Sequence, residues 1–344
     1  MFAAGGLGVR VAVLGTGLIG GSILLRLREA GLDARGWDPD PQTRRHGRDR
    51  GVPFADTPAD AVRDRDVVFL CGPLRTLPDT LAEVAGVVGD DCVLTDVGST
   101  KSAVAEAAAR FGLTHRFVPG HPMAGTERAG LTSAVAGLFQ DAAWVLCPAP
   151  DGELTRFRAL AGLLADVFAA RVVPLSVPVH DAVVALSSHI PHLLAGALAG
   201  GTARAPSRPA VVGLAAGSFR DGTRVAGAPS RRTADMLIAN RDFVLRELGL
   251  VENFLADLTA ALRTGDAAAL AGHLGEARAL RQELFRPAAA RSDHDFPAAG
   301  STAELDFLLR LGGQGGWIER ITTDGPTARY TVRRPDPDPP DDDA

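Results

Sequence analysis

Residues 11–22 run Val-Ala-Val-Leu-Gly-Thr-Gly-Leu-Ile-Gly-Gly-Ser, a short apolar stretch entering a glycine-rich turn. Gly15 permits the tight turn and Gly17 lets backbone approach an anion. Gly20 lets the next helix, with Ile23, Leu24 and Leu27 on one face, pack close to the strand and aim its free N–H groups and positive dipole end at the turn. Such a turn holds a dinucleotide pyrophosphate. A second strand-like run, Asp33–Trp37, ends at Asp38, 18 residues past Gly20. A carboxylate there meets adenosine ribose hydroxyls and repels a 2′-phosphate, favouring NAD over NADP, although Arg44 and Arg45 follow closely.

Four further segments gather polar groups. Thr95-Asp96-Val97-Gly98-Ser99-Thr100-Lys101-Ser102 follows an apolar strand, at the edge where open parallel sheets bind ligands; Ser99 and Thr100 also suit helix N-caps. Gly120-His121-Pro122-Met123-Ala124-Gly125-Thr126-Glu127 places a histidine in a strand-end loop, where a neutral imidazole suits a general base. Ser188-His189-Ile190-Pro191-His192 sets two histidines at i, i+3 on one helix face, and Pro191 frees the Ser187 carbonyl. No third ligand has metal spacing, so this segment reads as a substrate contact or a buried kink. Ser218-Phe219-Arg220-Asp221-Gly222-Thr223-Arg224 reads either as a solvated loop or as a carboxylate clamp, worth roughly 1.5–3 kcal/mol per charged hydrogen bond once dry.

Strands expected at 10–14, 33–37, 66–71, 92–96, 116–118, 143–147 and 171–173 alternate with helical segments, the pattern of a Rossmann-type doubly wound parallel sheet. From His180 to about 286 the chain reads as helices only. There Val244, Leu248, Val251, Leu255, Leu258 and Leu262 form an a/d seam, and Gly265-Asp266 turns the chain toward Leu270, Leu274, Ala277 and Leu284. The expected organisation is a dinucleotide-binding domain over 9–173 and a helical substrate and dimerisation domain over 174–287. A linker with a small helix-and-hairpin unit covers 288–334, and a disordered acidic tail 335–344.

With 46% hydrophobic and 22% charged residues the chain is an ordinary globular one, and its net charge of −5 offers no basic field for nucleic acid. No apolar run is expected to span a membrane, and three cysteines without metal spacing read as buried thiols of a cytoplasmic protein. Of 36 basic residues only Lys101 is lysine, which either chance or a need for a compact ammonium in place of a planar guanidinium accounts for, and which directs attention to its neighbourhood.

The glycine turn, Asp-Val-Gly-Ser-Thr-Lys, Gly-His-Pro-Met-Ala-Gly-Thr-Glu, Ser-His-Ile-Pro-His and Phe-Arg-Asp-Gly-Thr-Arg, in this order over about 9–287, resemble the prephenate/arogenate dehydrogenase family. The resemblance implies oxidative decarboxylation of prephenate with hydride transfer to NAD, in tyrosine biosynthesis; the apolar seam favours a homodimer through the helical half, and the ligand spacing gives no metal site. His121 is then the base for the ring hydroxyl and Ser99 its hydrogen-bonding partner. Arg224 binds a carboxylate, Arg220 and Asp221 stand at the entrance, and Thr126, Glu127, His189 and His192 line the pocket. Gly15, Gly17, Leu18, Ile19, Gly20 and Asp38 hold the cofactor. Arogenate as substrate, a hydroxyacid dehydrogenase with a catalytic lysine, and a non-catalytic NAD sensor are the alternatives.

Overall fold

The computed structural model describes residues 8–125, 130–148, 154–284 and 290–335. They fall into two compact units, one within Met1–His180 together with Ala289–Ala344, the other within Asp181–Ala288.

The first unit opens with β1 (Arg10–Leu14), β2 (Asp33–Trp37), β3 (Val67–Leu70), β4 (Val93–Asp96) and β5 (Phe117–Val118). They form a parallel sheet in the order β2-β1-β3-β4-β5. Val-Val-Phe-Leu of β3 is buried at every position, as a strand covered on both faces requires. Helix α1 (Leu18–Glu29) covers one face through Ile23, Leu24 and Leu27. The strand order reverses at β1, so the carboxyl ends of β1 and β3 flank a topological switch point.

Pro119 carries the chain out of this sheet into a second one. Its strands are β6 (Gly120–Pro122), β7 (Ala143–Leu146), β8 (Arg171–Pro174), β9 (Ala290–Pro297), β10 (Trp317–Asp324) and β11 (Thr327–Arg334), in the order β6-β7-β8-β10-β11-β9. The strands expected at 143–147 and 171–173 as part of one parallel sheet belong here. β7 and β8 are parallel to each other, but their outer neighbours β6 and β10 are antiparallel.

The linker expected at the start of 288–334 is corrected by a strand over 290–297. β9 pairs with β11 along its full length, from Ala290 opposite Arg334 to Pro297 opposite Thr327. Its charges hid the alternation: Arg291, Asp293 and Asp295 lie exposed, while Ser292, His294 and Phe296 turn partly inward. Arg329 pairs with Asp295 at 2.7 Å, and the Thr331 hydroxyl donates to Asp293. Such charges also blunt an exposed sheet edge. The hairpin expected about Asp324-Gly325 is β10–β11. Of the expected acidic tail, residues 336–344 lie outside the described residues.

Buried Arg158, on the helix Leu154–Phe168, ties this C-terminal segment to the rest of the unit. Its guanidinium donates to both Glu304 oxygens and to the carbonyls of Ala298 and Pro297, and the Tyr330 hydroxyl also donates to Glu304. A buried carboxylate with this many donors is a satisfied one.

In the second unit the helix Arg241–Thr264 ends at Gly265 in the left-handed region (φ 70°). The side chain of Asp266 then accepts the Ala269 N–H and starts the returning helix Ala267–Glu283, as the sequence suggests. The seam divides along its length. Val244 is buried with Ala185 and Ile190, and Leu248 and Val251 pack against them, whereas Leu255 and Leu262 are exposed within one chain. One expectation changes: Val177–Arg204 is long and apolar enough to cross a membrane by length and composition. His180, Asp181, His189 and His192 interrupt the apolar run in the sequence, and the helix carries through Pro191 by way of a π-helical turn over Ala185–His189.

Candidate active site

The glycine turn sits where the sequence places it. Gly15 has φ +91°, and a Cβ on Gly20 would fall 2.0 Å from the Gly15 carbonyl oxygen, so both positions demand glycine. A Cβ on Gly17 would meet nothing within 4 Å, leaving open space before the helix. Gly17 is the N-cap of α1, whose first turn has neither an acidic residue nor a side-chain cap among the described residues. Leu18 and Ile19 are half-buried in that turn. Uncapped N–H groups facing open space fit a pyrophosphate.

Asp38 stands beside this turn, just beyond β2. Its Oδ2 accepts the Thr16 N–H at 2.7 Å and the Thr16 hydroxyl at 3.2 Å, while Oδ1 accepts the Asp40 N–H. The carboxylate is thus held next to the glycine turn, as recognition of ribose hydroxyls requires. Arg44 turns its guanidinium onto the Asp38 and Pro39 carbonyls.

At the end of β4 lies a buried ion pair. The Lys101 ammonium donates to Asp96 Oδ2 and, at 2.8 Å, to the Gly120 carbonyl; both side chains are fully buried. Asp96 also accepts the N–H groups of Gly98 (2.8 Å) and Gly120 (3.1 Å). Both backbone polar groups of Gly120 are therefore fixed by one ion pair. The pair staples the loop that carries Ser99 to the strand that carries His121. Ser99 and Thr100 do not cap the next helix: it begins at Ser102, with Lys101 at the N-cap position and no side-chain cap hydrogen bond.

His121 lies on β6, opposite Val145, and is half-buried. Its Nδ1 is 2.9 Å from Nε2 of His180, with one nitrogen donating and the other accepting, and the rings meet edge-on with centroids 5.1 Å apart. His180 is fully buried in the helix Val177–Val184. Sequence reasoning missed it, though a His-Asp pair inside the apolar run Val177–Val184 was the available signal. Cys71, at the end of β3, is inert by comparison, because burial pushes its thiol well above the usual range.

In the second unit His189 is fully buried and His192 half-buried. His192 Nδ1 is 2.9 Å from the Ser188 carbonyl, so that nitrogen carries the proton. His189 Nδ1 lies 3.1 Å from Nδ2 of buried Asn240, a residue that also escaped the sequence reading. Arg220 and Asp221 are exposed on the short helix Gly217–Thr223, and Arg224 is exposed at the start of the 3-10 turn that follows, where the sequence suggested a loop. Thr126 and Glu127 lie outside the described residues.

The fold and the glycine turn define a dinucleotide-binding protein. The chain matches the prephenate dehydrogenase nucleotide-binding domain over residues 23–173 and the prephenate dehydrogenase dimerization domain over 177–276. It is 32% identical over 301 residues to the cyclohexadienyl dehydrogenase of Zymomonas mobilis, covering 83% of this chain and 97% of that protein. Among solved structures, prephenate dehydrogenase from A. aeolicus in complex with hydroxyphenyl propionate and NAD+ aligns at TM-score 0.74 and 26% identity, covering 80% of this chain and 98% of that one. Arogenate dehydrogenase from Synechocystis aligns at TM-score 0.73 and 26% identity, over 80% and 100%. The chain belongs to the prephenate dehydrogenase family, and it is an NAD-dependent enzyme.

Proposed function

We propose that the chain converts prephenate to 4-hydroxyphenylpyruvate and carbon dioxide with reduction of NAD, in the route to tyrosine, with His121 as the base. The observation that carries this reading is the His121–His180 pair on a strand stapled to the Ser99 loop. With Nδ1–H of His121 donating to His180, the lone pair of His121 sits on Nε2 and can take the ring hydroxyl proton. Buried His180 then keeps that orientation as the charge forms on His121, in the way the third member of a triad orients its base. Ser99 hydrogen-bonds the same hydroxyl. When bound, NAD takes the hydride from the hydroxyl-bearing carbon. The bond to the ring carboxylate breaks as carbon dioxide leaves, its electron pair makes the ring aromatic, and the phenol oxygen recovers a proton.

A dianionic substrate needs a cation, and Arg224 supplies a guanidinium fork for a carboxylate. Arg220 and Asp221 are the proposed entrance pair, and His189 and His192 the proposed contacts of the substrate side chain. The active form is a homodimer: Leu194, Leu198, Leu250, Leu255 and Leu262 are exposed on the helical unit of one chain, within the residues that match a dimerization domain. Arogenate is the second reading, favoured by the similarity to an arogenate dehydrogenase and to a cyclohexadienyl dehydrogenase.

Steady-state rates with prephenate and arogenate, each with NAD and NADP, test the assignment directly. His121→Asn is expected to lower kcat by about 10²–10⁴-fold with KM largely kept. Retention of more than a tenth of kcat removes His121 from the role of base.

A further inference from the structure

Asn240, the N-cap residue of the helix Arg241–Thr264, is 2% exposed, and its side-chain amide faces two partners. Nδ2 lies 2.8 Å from the Asp181 carbonyl and 3.1 Å from Nδ1 of His189. The opposite amide orientation would set Oδ1 against the Asp181 carbonyl, oxygen to oxygen. A carbonyl only accepts, so the NH₂ group must face this way, one hydrogen to each partner. His189 Nδ1 is consequently the bare nitrogen and the proton of the neutral ring sits on Nε2. Asn240 Oδ1 accepts no hydrogen bond among the described residues, so the amide is held for what its NH₂ does. His192, three residues on, is set the opposite way: its Nδ1–H donates to the Ser188 carbonyl, leaving Nε2 bare in the neutral ring.

We propose that Asn240 is a positioning residue that locks His189 in its Nε2–H tautomer, so that His189 offers a donor and His192 an acceptor to the substrate side chain. The inference rests on the reading that both histidines line the substrate pocket. A keto acid side chain has only acceptors and takes the His189 donor, whereas an amino acid side chain brings N–H donors and needs an acceptor. Asn240 thereby tilts the pocket toward the keto acid.

Long-range ¹H–¹⁵N correlation spectra of the full chain with ¹⁵N-labelled histidine test the tautomer, with the His189 signals assigned by their loss in His189→Gln. The wild-type chain is expected to show bare Nδ1 and protonated Nε2; a protonated Nδ1 overturns the proposal, whatever any variant does. Asn240→Asp replaces the donor by an acceptor and is expected to put a proton on Nδ1. It should raise KM for prephenate at least tenfold while kcat stays within threefold, and narrow the preference for prephenate over arogenate. An unchanged KM in Asn240→Asp, alongside a raised KM in His189→Gln, overturns the positioning role. If His189→Gln itself leaves KM unchanged, the pocket-lining reading fails while the tautomer result stands.

Discussion

Lys101→Met removes the ammonium from a site with no exposure and leaves Asp96 as a buried carboxylate held, among the described residues, by the Gly98 and Gly120 N–H groups. Removing one partner of a buried pair costs about 3–5 kcal/mol, because the remaining charge is desolvated without its counterion. At ~2–4 °C per kcal/mol for a unit of this size, the melting temperature should fall by roughly 6–20 °C. That is a large part of the ~5–15 kcal/mol a domain has. Lys101→Arg should also destabilise, since a fully buried site that holds a compact ammonium must shift to take a wider planar fork. Asp96→Asn combined with Lys101→Met should be less damaging than the two single costs added, because no bare charge remains. Thermal and denaturant unfolding of these three variants and of Asp96→Asn alone, followed by circular dichroism, gives the comparison. A loss of less than about 1 kcal/mol in Lys101→Met, or additive costs in the double variant, would refute the argument that an uncompensated carboxylate sets the penalty.

Two smaller tests use the cofactor turn and the C-terminal sheet. Gly17→Ala places its methyl in open space and should leave the melting temperature unchanged while weakening NAD binding at least ~10-fold, whereas Gly20→Ala, blocked by the Gly15 carbonyl, should lose both; NAD titration with parallel melting curves separates them. Burial, with Arg334 nearby, holds His294 below its ordinary range, its ring packed 4.5 Å from that of Phe307. The folded state therefore binds this proton less well than the unfolded chain, so its contribution is complete above the unfolded value of about 6.5 and falls as pH drops toward the lower folded one. Denaturation midpoints between pH 8 and 5 should decline less steeply in His294→Gln; equal slopes would remove His294 as the cause.

What was legible in the sequence was local. The glycine turn announces itself because the constraint at Gly15 and Gly20 is met within six residues of chain, and α1 follows at once. The turn at Gly265-Asp266 was legible for the same reason. β9 was not, since its exposed charges suppress the apolar alternation by which strands are recognised, and its partner β11 is separated from it by a helix and another strand. His180 and Asn240 were invisible for a different reason. Each acquires meaning from a residue more than fifty positions away, 59 for the His121–His180 pair and 51 for His189–Asn240. Lys101 was flagged by composition alone, and its partner Asp96, five residues back, was in the quoted motif without its role being evident.

Because β10 and β11 lie inside the second sheet while following the whole helical unit along the chain, the first unit is interrupted in time as well as in sequence. On the ribosome, Arg158 emerges long before Glu304, its counterion. A chain that folds as it is made can complete the helical unit while β8 still lacks its neighbour and one guanidinium waits in an unfinished interior. Nascent chains stalled before residue 300 should accordingly depend on chaperones in a way that those released after β11 do not.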